Sequence, residues 1–277
     1  MFYGTDWGMQ NRLSRIINPE TGGCLMLAVD HGYFQGPTTG LRDLDKAVMP
    51  LLPYCDALMI TRGALRAFIP PKMNKPIVLR VSGGPTVLNE LSNEYITTAI
   101  EDAIRINAAA ITCSVYIGSE FETQCVDNLA QLVNEGERYG IPVLAVTAVG
   151  RDMNRDARFL GLASRVCVEI GAHMIKTYYC EGFRNVVKAC GNAPVVMAGG
   201  KKIPEREALQ MAHNAVAAGA VGVDMGRNIF QSDKPVGMIQ AVRAMIHEKV
   251  SVEEAYKMYQ SYRPAGAKKK SAPRKSK

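Results

Sequence analysis

Lys176 lies near the end of an apolar segment, "HMIKTY" at residues 173–178, where a charged side chain is unusual. Lysine is among the residues least often fully buried. If the segment is an interior strand, the ammonium loses hydration, which favours the neutral amine that attacks ketones and aldehydes to form a Schiff base. The alternative is a lysine whose stem packs while its ammonium reaches water or pairs with a carboxylate. The position of Lys176 leaves both interpretations open.

Two glycine-bearing turns follow the last two apolar segments of the chain, "AGGKK" at 198–202 and "MGRN" at 225–228. Barrels of alternating strands and helices commonly bind phosphate at this place, through backbone N–H groups of the two loops. Glycine lets a backbone approach a phosphate closely, and Lys201 and Arg227 adjoin the two turns. A Schiff-base lysine facing such a site predicts a phosphorylated carbonyl compound as substrate.

The stretch "VDHG" at 29–32 supplies a carboxylate and an imidazole at the end of the first apolar segment. We expect Asp30 to hold Lys176 or a substrate hydroxyl by a charge-assisted hydrogen bond, and His31 to transfer protons near neutral pH. The other three histidines fall in strand or helical segments, so no zinc-type ligand set emerges and we predict no metal.

Eight short apolar segments alternate with segments of helical periodicity, and this alternation predicts the fold. The short segments show little polar alternation, as expected of strands that helices cover on both faces. Eight such units in 277 residues suit a single-domain (β/α)8 barrel, in which reactive groups gather at the carboxyl ends of the strands. A doubly wound sheet is the alternative, but the first turn lacks its GxGxxG pattern. The predicted strands are 24–30, 56–60, 76–81, 109–116, 141–148, 173–178, 194–200 and 220–226.

Most of the net charge of +7 lies in the last 14 residues, which contain six lysines and arginines and no acidic residue. The rest of the chain therefore carries 7 − 6 = +1. We predict a barrel domain over 1–263 and a basic, disordered tail over 264–277, which either solubilises the protein or tethers it weakly to RNA or a membrane. The nearly neutral body argues against a dedicated nucleic-acid groove, so no nucleic-acid partner is expected.

Composition and cysteine usage point to a soluble cytoplasmic protein. The chain is 47% hydrophobic and 21% charged, and its seven cysteines form no CxxC pair. Several lie in apolar runs, which is typical of buried free thiols in a reducing compartment. No apolar stretch approaches the roughly 20 residues of a membrane span, and the amino terminus lacks the pattern of a signal peptide. We therefore expect no membrane partner.

Four stretches resemble the DeoC/archaeal-type class I fructose-bisphosphate aldolase superfamily: "AVDHGYFQGPTTGL", "IKTYY", "AGGKKIPEREAL" and "GVDMGRNIFQSDKP". The resemblance covers roughly residues 6–260. It implies a (β/α)8 barrel in which Lys176 is the Schiff-base lysine and Asp30 and His31 lie in the active site. It also implies that the substrate phosphate lies on Ala198, Gly199, Gly200, Gly226 and Arg227.

One position distinguishes branches of this superfamily. Its fructose-bisphosphate aldolases carry a tyrosine acid/base in a "YPRG"-like stretch at the end of the fifth strand, where this chain has "TAVG" at 147–150. Thr147 takes the place of that tyrosine, and a threonine hydroxyl does not readily exchange protons. The resemblance is instead to the thiolase branch, which implies that Thr147, with His31, orients the proton or the thiol acceptor.

The resemblance implies acetyl transfer from 3-hydroxy-2,4-pentanedione 5-phosphate to coenzyme A in autoinducer-2 degradation, giving dihydroxyacetone phosphate and acetyl-CoA. It further implies no bound cofactor, coenzyme A as co-substrate, and a homodecamer. The predicted catalytic residues are Lys176, Asp30, His31 and Thr147. The alternatives are a class I aldolase acting on fructose bisphosphate or a related phosphosugar, and a non-catalytic scaffold or nucleic-acid-binding protein anchored by its tail.

Overall fold

The computed structural model describes residues 6–150 and 153–263, and the predicted tail, 264–277, lies outside them. Eight parallel strands close into one barrel with helices around it, which confirms the (β/α)8 prediction. Around the barrel the strands follow chain order, and the last pairs with the first. The strands of the described residues are β1 (Cys24–Ala28), β2 (Ala57–Thr61), β3 (Ile77–Arg80), β4 (Ser82–Gly83), β5 (Tyr95–Ile96), β6 (Ala110–Ile117), β7 (Val143–Val149), β8 (Met174–Tyr178), β9 (Val195–Ala198) and β10 (Gly222–Met225). The short strands β4 and β5 pair antiparallel outside the barrel.

The helices pack on the outside of the barrel strands, with short helices in the loops at the carboxyl ends. Two 3-10 turns, Leu52–Tyr54 and Pro71–Met73, and a π-helical turn, Ala244–Glu248, accompany them. The helices are α1 (Trp7–Ile16), α2 (Gly32–Gln35), α3 (Leu44–Val48), α4 (Arg62–Phe68), α5 (Ile100–Ile106), α6 (Glu122–Tyr139), α7 (Ala157–Ile170), α8 (Phe183–Ala189), α9 (Glu205–Ala217), α10 (Arg227–Phe230), α11 (Pro235–Arg243) and α12 (Val252–Ser261).

Alternate residues of each barrel strand face the interior or the helices, because side chains on a strand point to opposite faces in turn. The interior holds one apolar cluster, and the layer between strands and helices holds a second, larger one. Met9, Leu13 and Ile16 of α1 belong to the interior cluster, so this helix closes the end of the barrel at which the strands begin. Lys176 follows the interior Met174 by two positions on β8 and shares its face.

The predicted strands agree with the observed ones within two residues at every end. The spacing of apolar residues in the segment 93–108 predicts a helix, and this prediction is partly wrong. Tyr95–Ile96 forms β5, and the helix α5 begins only at Ile100. The run of Ile96, Thr97 and Thr98 is β-branched and favours extended backbone. The backbone N–H groups of Thr97 and Thr98 donate to the carbonyl of Val81, which holds this segment beside β3 and β4.

All seven cysteines are buried and free. Within the described part of the chain, no helix combines the length and the apolar character needed to cross a membrane.

Candidate active site

A pocket opens at the carboxyl ends of the barrel strands, where the loops after the strands converge. It brings together eight of the nine residues predicted from the sequence: Asp30, His31, Lys176, Ala198, Gly199, Gly200, Gly226 and Arg227. Its further polar lining comes from residues that are not among the predicted site residues: Tyr33, Arg80, Ser114, Tyr116, Tyr178 and Asp224.

Lys176 forms a buried ion pair with Asp224 on β10. Its Nζ lies 2.8 Å from Asp224 Oδ2, and the exposed fractions of the two residues are 8% and 1%. Burial raises the pKa of the Asp224 carboxyl above its usual value, although the nearby Lys176 ammonium opposes this rise. The carboxylate is therefore a good proton acceptor for the amine beside it.

Asp30 pairs with Arg80 of β3, whereas the sequence predicts that it holds either Lys176 or a substrate hydroxyl. Arg80 Nε donates to Asp30 Oδ2 over 2.9 Å, and both side chains are buried. Burial by itself raises the pKa of Asp30, but the charges of Arg80, Lys176 and His31 outweigh it, so the net pKa is lowered. Asp30 is thus a fixed anion, and this corrects the prediction that it holds the lysine amine.

A buried network extends from Arg80 to the hairpin of β4 and β5. Arg80 Nη1 donates to Ser114 Oγ over 3.0 Å, and the guanidinium lies 5.3 Å from the Tyr33 ring centroid. Ser82 Oγ and Tyr33 Oη donate to the two carboxylate oxygens of Glu94 over 2.5 and 2.6 Å. Burial raises the pKa of Tyr33 well above its usual range, so its hydroxyl keeps its proton. The network fixes the wall of the pocket beside Asp30.

His31 sits at the pocket edge with its Nδ1 3.9 Å from Asp30 Oδ1 and its ring against Phe230. Burial lowers the pKa of His31 to about 4, and the Lys176, Arg227 and Arg80 charges add to this, while Asp30 opposes it. The ring is therefore neutral at pH 7. This differs from the expectation that His31 transfers protons near neutral pH, because the lowered pKa keeps the ring unprotonated and makes it a weak base.

Thr147 is the predicted residue that the structure does not bring into the pocket. It shares its face of β7 with Val143 and Ala145, which pack toward the helices, while its neighbour Val146 lines the pocket. Its Oγ1 donates to the Lys176 backbone carbonyl over 3.4 Å, and the residue is fully buried. The side-chain alternation of the strand thus turns the hydroxyl away from the substrate space.

The two glycine turns, at Gly199 and Gly200 and at Gly226, form the part of the pocket wall next to His31. A Cβ at Gly226 would lie 2.4 Å from the Ala28 carbonyl oxygen and 2.5 Å from His31 Cε1, so this position admits only glycine. Gly200 has a left-handed backbone with φ +66. Asn228, which sequence analysis overlooked, joins the two loops because its Nδ2 donates to the carbonyl of Gly199 over 2.5 Å.

The outer part of the wall at the glycine turns carries cationic and phenolic groups. Arg227 lines the pocket, and its buried Nε has no hydrogen-bond partner among the described residues. Tyr178 lies two positions after Lys176 on the same face, and the Arg155 guanidinium lies 4.2 Å from its ring centroid. An arginine guanidinium beside glycine backbone is an environment that binds a phosphate.

Three charged side chains of the site, Asp224, Arg80 and Glu94, were not among the predicted site residues. Asp224 in "GVDMG" and Arg80 in "PIVLRV" are charged residues inside otherwise apolar strands, and that is a usable signal, because such residues are rarely buried without a partner. Glu94 carries no comparable signal, since its segment is polar. Across residues 6–150 and 153–263, no three His, Cys, Asp or Glu side chains gather in a way that could hold a metal ion.

Comparison with known proteins identifies the family of this chain. Residues 24–232 match the model of the DeoC/LacD family of aldolases. The chain is 54% identical over 257 residues to the 3-hydroxy-5-phosphonooxypentane-2,4-dione thiolase of Photorhabdus laumondii and 55% identical to that of Escherichia coli K12. Each alignment covers 92% of this chain and 88% of the relative. An uncharacterized aldolase of Pasteurella multocida is 55% identical over 255 residues, with the same coverage.

Solved structures of aldolases share the fold. A Schiff-base-forming fructose-1,6-bisphosphate aldolase superposes with a TM-score of 0.78 at 25% identity, covering 86% of this chain and 99% of that one. The fructose-bisphosphate aldolase of Slackia heliotrinireducens superposes with a TM-score of 0.81 at 19% identity, covering 91% and 90%. The chain therefore belongs to the DeoC/LacD family of aldolases and is an enzyme of the class I aldolase superfamily.

Proposed function

We propose that the enzyme transfers the acetyl group of 3-hydroxy-2,4-pentanedione 5-phosphate to coenzyme A through a Schiff base on Lys176, giving dihydroxyacetone phosphate and acetyl-CoA. The observation that carries this proposal is that a buried lysine amine shares one pocket with the two glycine turns and Arg227. The names of relatives at 54–56% identity supply the substrate and the thiolase activity.

The identity of the products determines which carbonyl reacts with the lysine. The bond that breaks joins C2, the acetyl carbonyl, to C3, which carries the hydroxyl. The electron pair of this bond is left on C3, so an electron sink must stand at the neighbouring C4. An iminium between C4 and Lys176 Nζ is such a sink. The coenzyme A sulfur then attacks C2, and hydrolysis of the resulting enamine releases dihydroxyacetone phosphate.

The side chains around Lys176 suit the remaining steps. The C4 carbonyl is separated from the phosphate by one carbon and one oxygen, so phosphate binding near Gly226 and Arg227 brings C4 toward the amine, a positioning effect. The neutral ring of His31 is suited to accept a hydrogen bond from the thiol and so to orient it. The fixed anion of Asp30 is suited to accept a hydrogen bond from the C3 hydroxyl. Thr147 has no contact with this space and receives no role.

A coupled assay tests the proposal. Consumption of the phosphodione and appearance of acetyl-CoA are measured with and without coenzyme A, for the parent and for Lys176→Ala. We expect consumption to require coenzyme A and Lys176, and an unphosphorylated dione to react much more slowly. Equal consumption without coenzyme A, or activity in Lys176→Ala at the parent rate, would refute acetyl transfer through this lysine.

The second candidate is a class I aldolase acting on fructose bisphosphate or a related phosphosugar. It is favoured by the fold match to a Schiff-base-forming fructose-1,6-bisphosphate aldolase and by two phenols in the pocket, Tyr116 and Tyr178, which can act as acids. Rapid release of triose phosphates from fructose bisphosphate, without coenzyme A, would establish this activity instead.

The cellular setting follows from the same proposal. We infer a cytoplasmic enzyme of autoinducer-2 degradation, and hence of quorum sensing, that binds no resident cofactor and uses coenzyme A as a co-substrate. Seven buried free thiols suit a reducing compartment. A homodecamer accords with exposed apolar side chains such as Trp7 (79%) and Leu88 (88%). Light scattering at ten times the mass of one chain would support the decamer, and the mass of a monomer would refute it.

A further inference from the structure

We propose that Asp224 is a catalytic residue of Schiff-base formation. It takes the proton that Lys176 loses before attack, returns it to the departing hydroxyl, and then stands as the counter-ion of the iminium. This inference rests on the proposed function, in which Lys176 attacks the C4 carbonyl.

The placement of Asp224 is hard to explain by folding alone. It lies on β10 within the barrel interior, opposite Met26 on one side and Ala198 on the other. The interior cluster around it is apolar. Its side chain is fully buried, and its Oδ1 has no hydrogen-bond partner among the described residues. A buried carboxylate with so few partners is costly unless its charge is used or neutralised.

Two carboxylates lie near Lys176, those of Asp30 and Asp224, and each pairs with a different cation. Asp30 is held by Arg80, which donates over 2.9 Å, whereas Asp224 has the Lys176 amine at 2.8 Å. The pKa of Asp224 is raised by burial and that of Asp30 is lowered. Asp224 is therefore the carboxylate of the two that can hold a proton while the lysine is neutral.

The reaction balances through this pair without an outside acid or base. The ammonium of Lys176 passes one proton to Asp224, leaving a neutral amine and a neutral acid. The amine nitrogen bonds to the carbonyl carbon, and its second proton moves to the carbonyl oxygen, which gives a carbinolamine. Asp224 then donates its proton to the carbinolamine hydroxyl, the C–O bond breaks, and water leaves. The iminium cation and the Asp224 carboxylate remain, so this pair carries one positive and one negative charge both before Schiff-base formation and after it.

Trapping with dihydroxyacetone phosphate and borohydride isolates this step from acetyl transfer. Borohydride reduces the iminium but not the carbinolamine, so labelling of Lys176 reports dehydration. We expect Asp224→Asn to lower the labelling rate about a hundredfold or more, the usual scale of a lost general acid. In the parent the rate should change little between about pH 6 and 8, because the proton is internal. In the variant it should fall about tenfold per pH unit, because the acid must come from solvent.

Two further variants separate catalysis from structure. Thr177→Val alters a fully buried hydroxyl next to Lys176 on the opposite face of β8, whose Oγ1 has no hydrogen-bond partner in the part of the chain that the structure describes. This variant should label at the parent rate. Asp224→Ala should regain labelling when formate is added, since the small acid can enter the space that the carboxylate leaves. Circular dichroism shows whether each variant is folded.

The outcomes are distinct. Labelling of Asp224→Asn within about threefold of the parent, or a uniform loss with the parent's pH profile, would overturn the inference. Loss of the fold in both Asp224 variants would assign the residue to stability and overturn it as well. Absence of any label in the parent would instead refute the Schiff base of the proposed function.

Discussion

Replacing Arg80 with methionine removes the cation that balances Asp30 at the centre of the pocket. Both side chains are almost fully buried, at 4% and 6% exposure, and their contact is 2.9 Å. Methionine preserves much of the length and apolar packing of the arginine stem. The carboxylate is left in the interior with Lys176 as the nearest cation, and Lys176 is already paired with Asp224.

Breaking a buried ion pair by removing one partner costs about 3–5 kcal/mol of unfolding free energy. For a protein of this size each kcal/mol lowers Tm by roughly 2–4 °C, so we expect a fall of about 6–20 °C. The matched control is Arg138→Met, which removes an exposed arginine from its pair with Glu135 at 3.1 Å. Exposed pairs contribute about 0–1 kcal/mol.

The loss should also depend on pH. In the parent the pKa of Asp30 is lowered, so its stabilisation is present above the unfolded value of about 3.9 and is lost as pH falls through the folded value. In Arg80→Met the main charge that opposes the effect of burial is gone, so we expect the pKa of Asp30 to rise. The pH dependence of the stability linked to Asp30 is then reversed, and the variant gains stability relative to the parent as pH falls.

Denaturant unfolding of the parent, Arg80→Met and Arg138→Met at about pH 8 and pH 5 measures both effects. The gap between parent and Arg80→Met should be widest at pH 8. A loss below about 1 kcal/mol, or a gap that is equal at both pH values, would refute the assignment of Asp30–Arg80 as a buried ion pair.

Three further predictions concern single positions. Gly226→Ala should raise KM for phosphorylated substrates about tenfold or more, because its Cβ would collide with the Ala28 carbonyl oxygen at 2.4 Å. The control is Gly200→Ala, whose Cβ would have no atom within 4 Å and which should cost only about 1–2 kcal/mol of unfolding free energy through its left-handed backbone. A similar KM for both variants would contradict this prediction. The pKa of His31 is lowered to about 4, so NMR should show a neutral ring from about pH 8 to 5. The contribution of neutral His31 to the unfolding free energy should be fully present above its unfolded-state pKa of about 6.5 and should decline as pH falls toward 4. A titration midpoint near pH 6.5 for His31 in the folded enzyme would contradict this prediction. Thr147→Val should keep kcat within about threefold of the parent, since the hydroxyl faces the helices; a hundredfold loss would restore Thr147 to the mechanism.

The strands of this protein are predictable because one physical pattern repeats eight times. Strands buried on both faces are short apolar runs, and the chain shows them clearly between amphipathic segments. Two elements lack such a signal. Helix α1 precedes the first strand and closes one end of the barrel. This role is visible only from the packing of α1 on the interior cluster. The hairpin of β4 and β5 is short and depends on contacts that distant residues make.

The sequence predicts which strand ends form the candidate site, but it does not predict which of their charged side chains form ion pairs. The topology of a parallel barrel assigns strand-end residues to one pocket, whichever strands carry them. Which carboxylate meets which cation depends on the reach of each side chain, so Asp224 and not Asp30 contacts Lys176. The error at Thr147 concerns side-chain alternation: the strand was predicted almost correctly, but the residue lies on the helix-facing side with Val143 and Ala145.

Mass spectrometry of the borohydride-treated enzyme tests the central claim most directly. The parent is incubated with 3-hydroxy-2,4-pentanedione 5-phosphate and borohydride, digested, and its peptides are weighed. The account predicts a single labelled peptide, with the reduced adduct on Lys176, and no label in Lys176→Arg. A label on another lysine, or a label of equal yield in Lys176→Arg, would contradict the account.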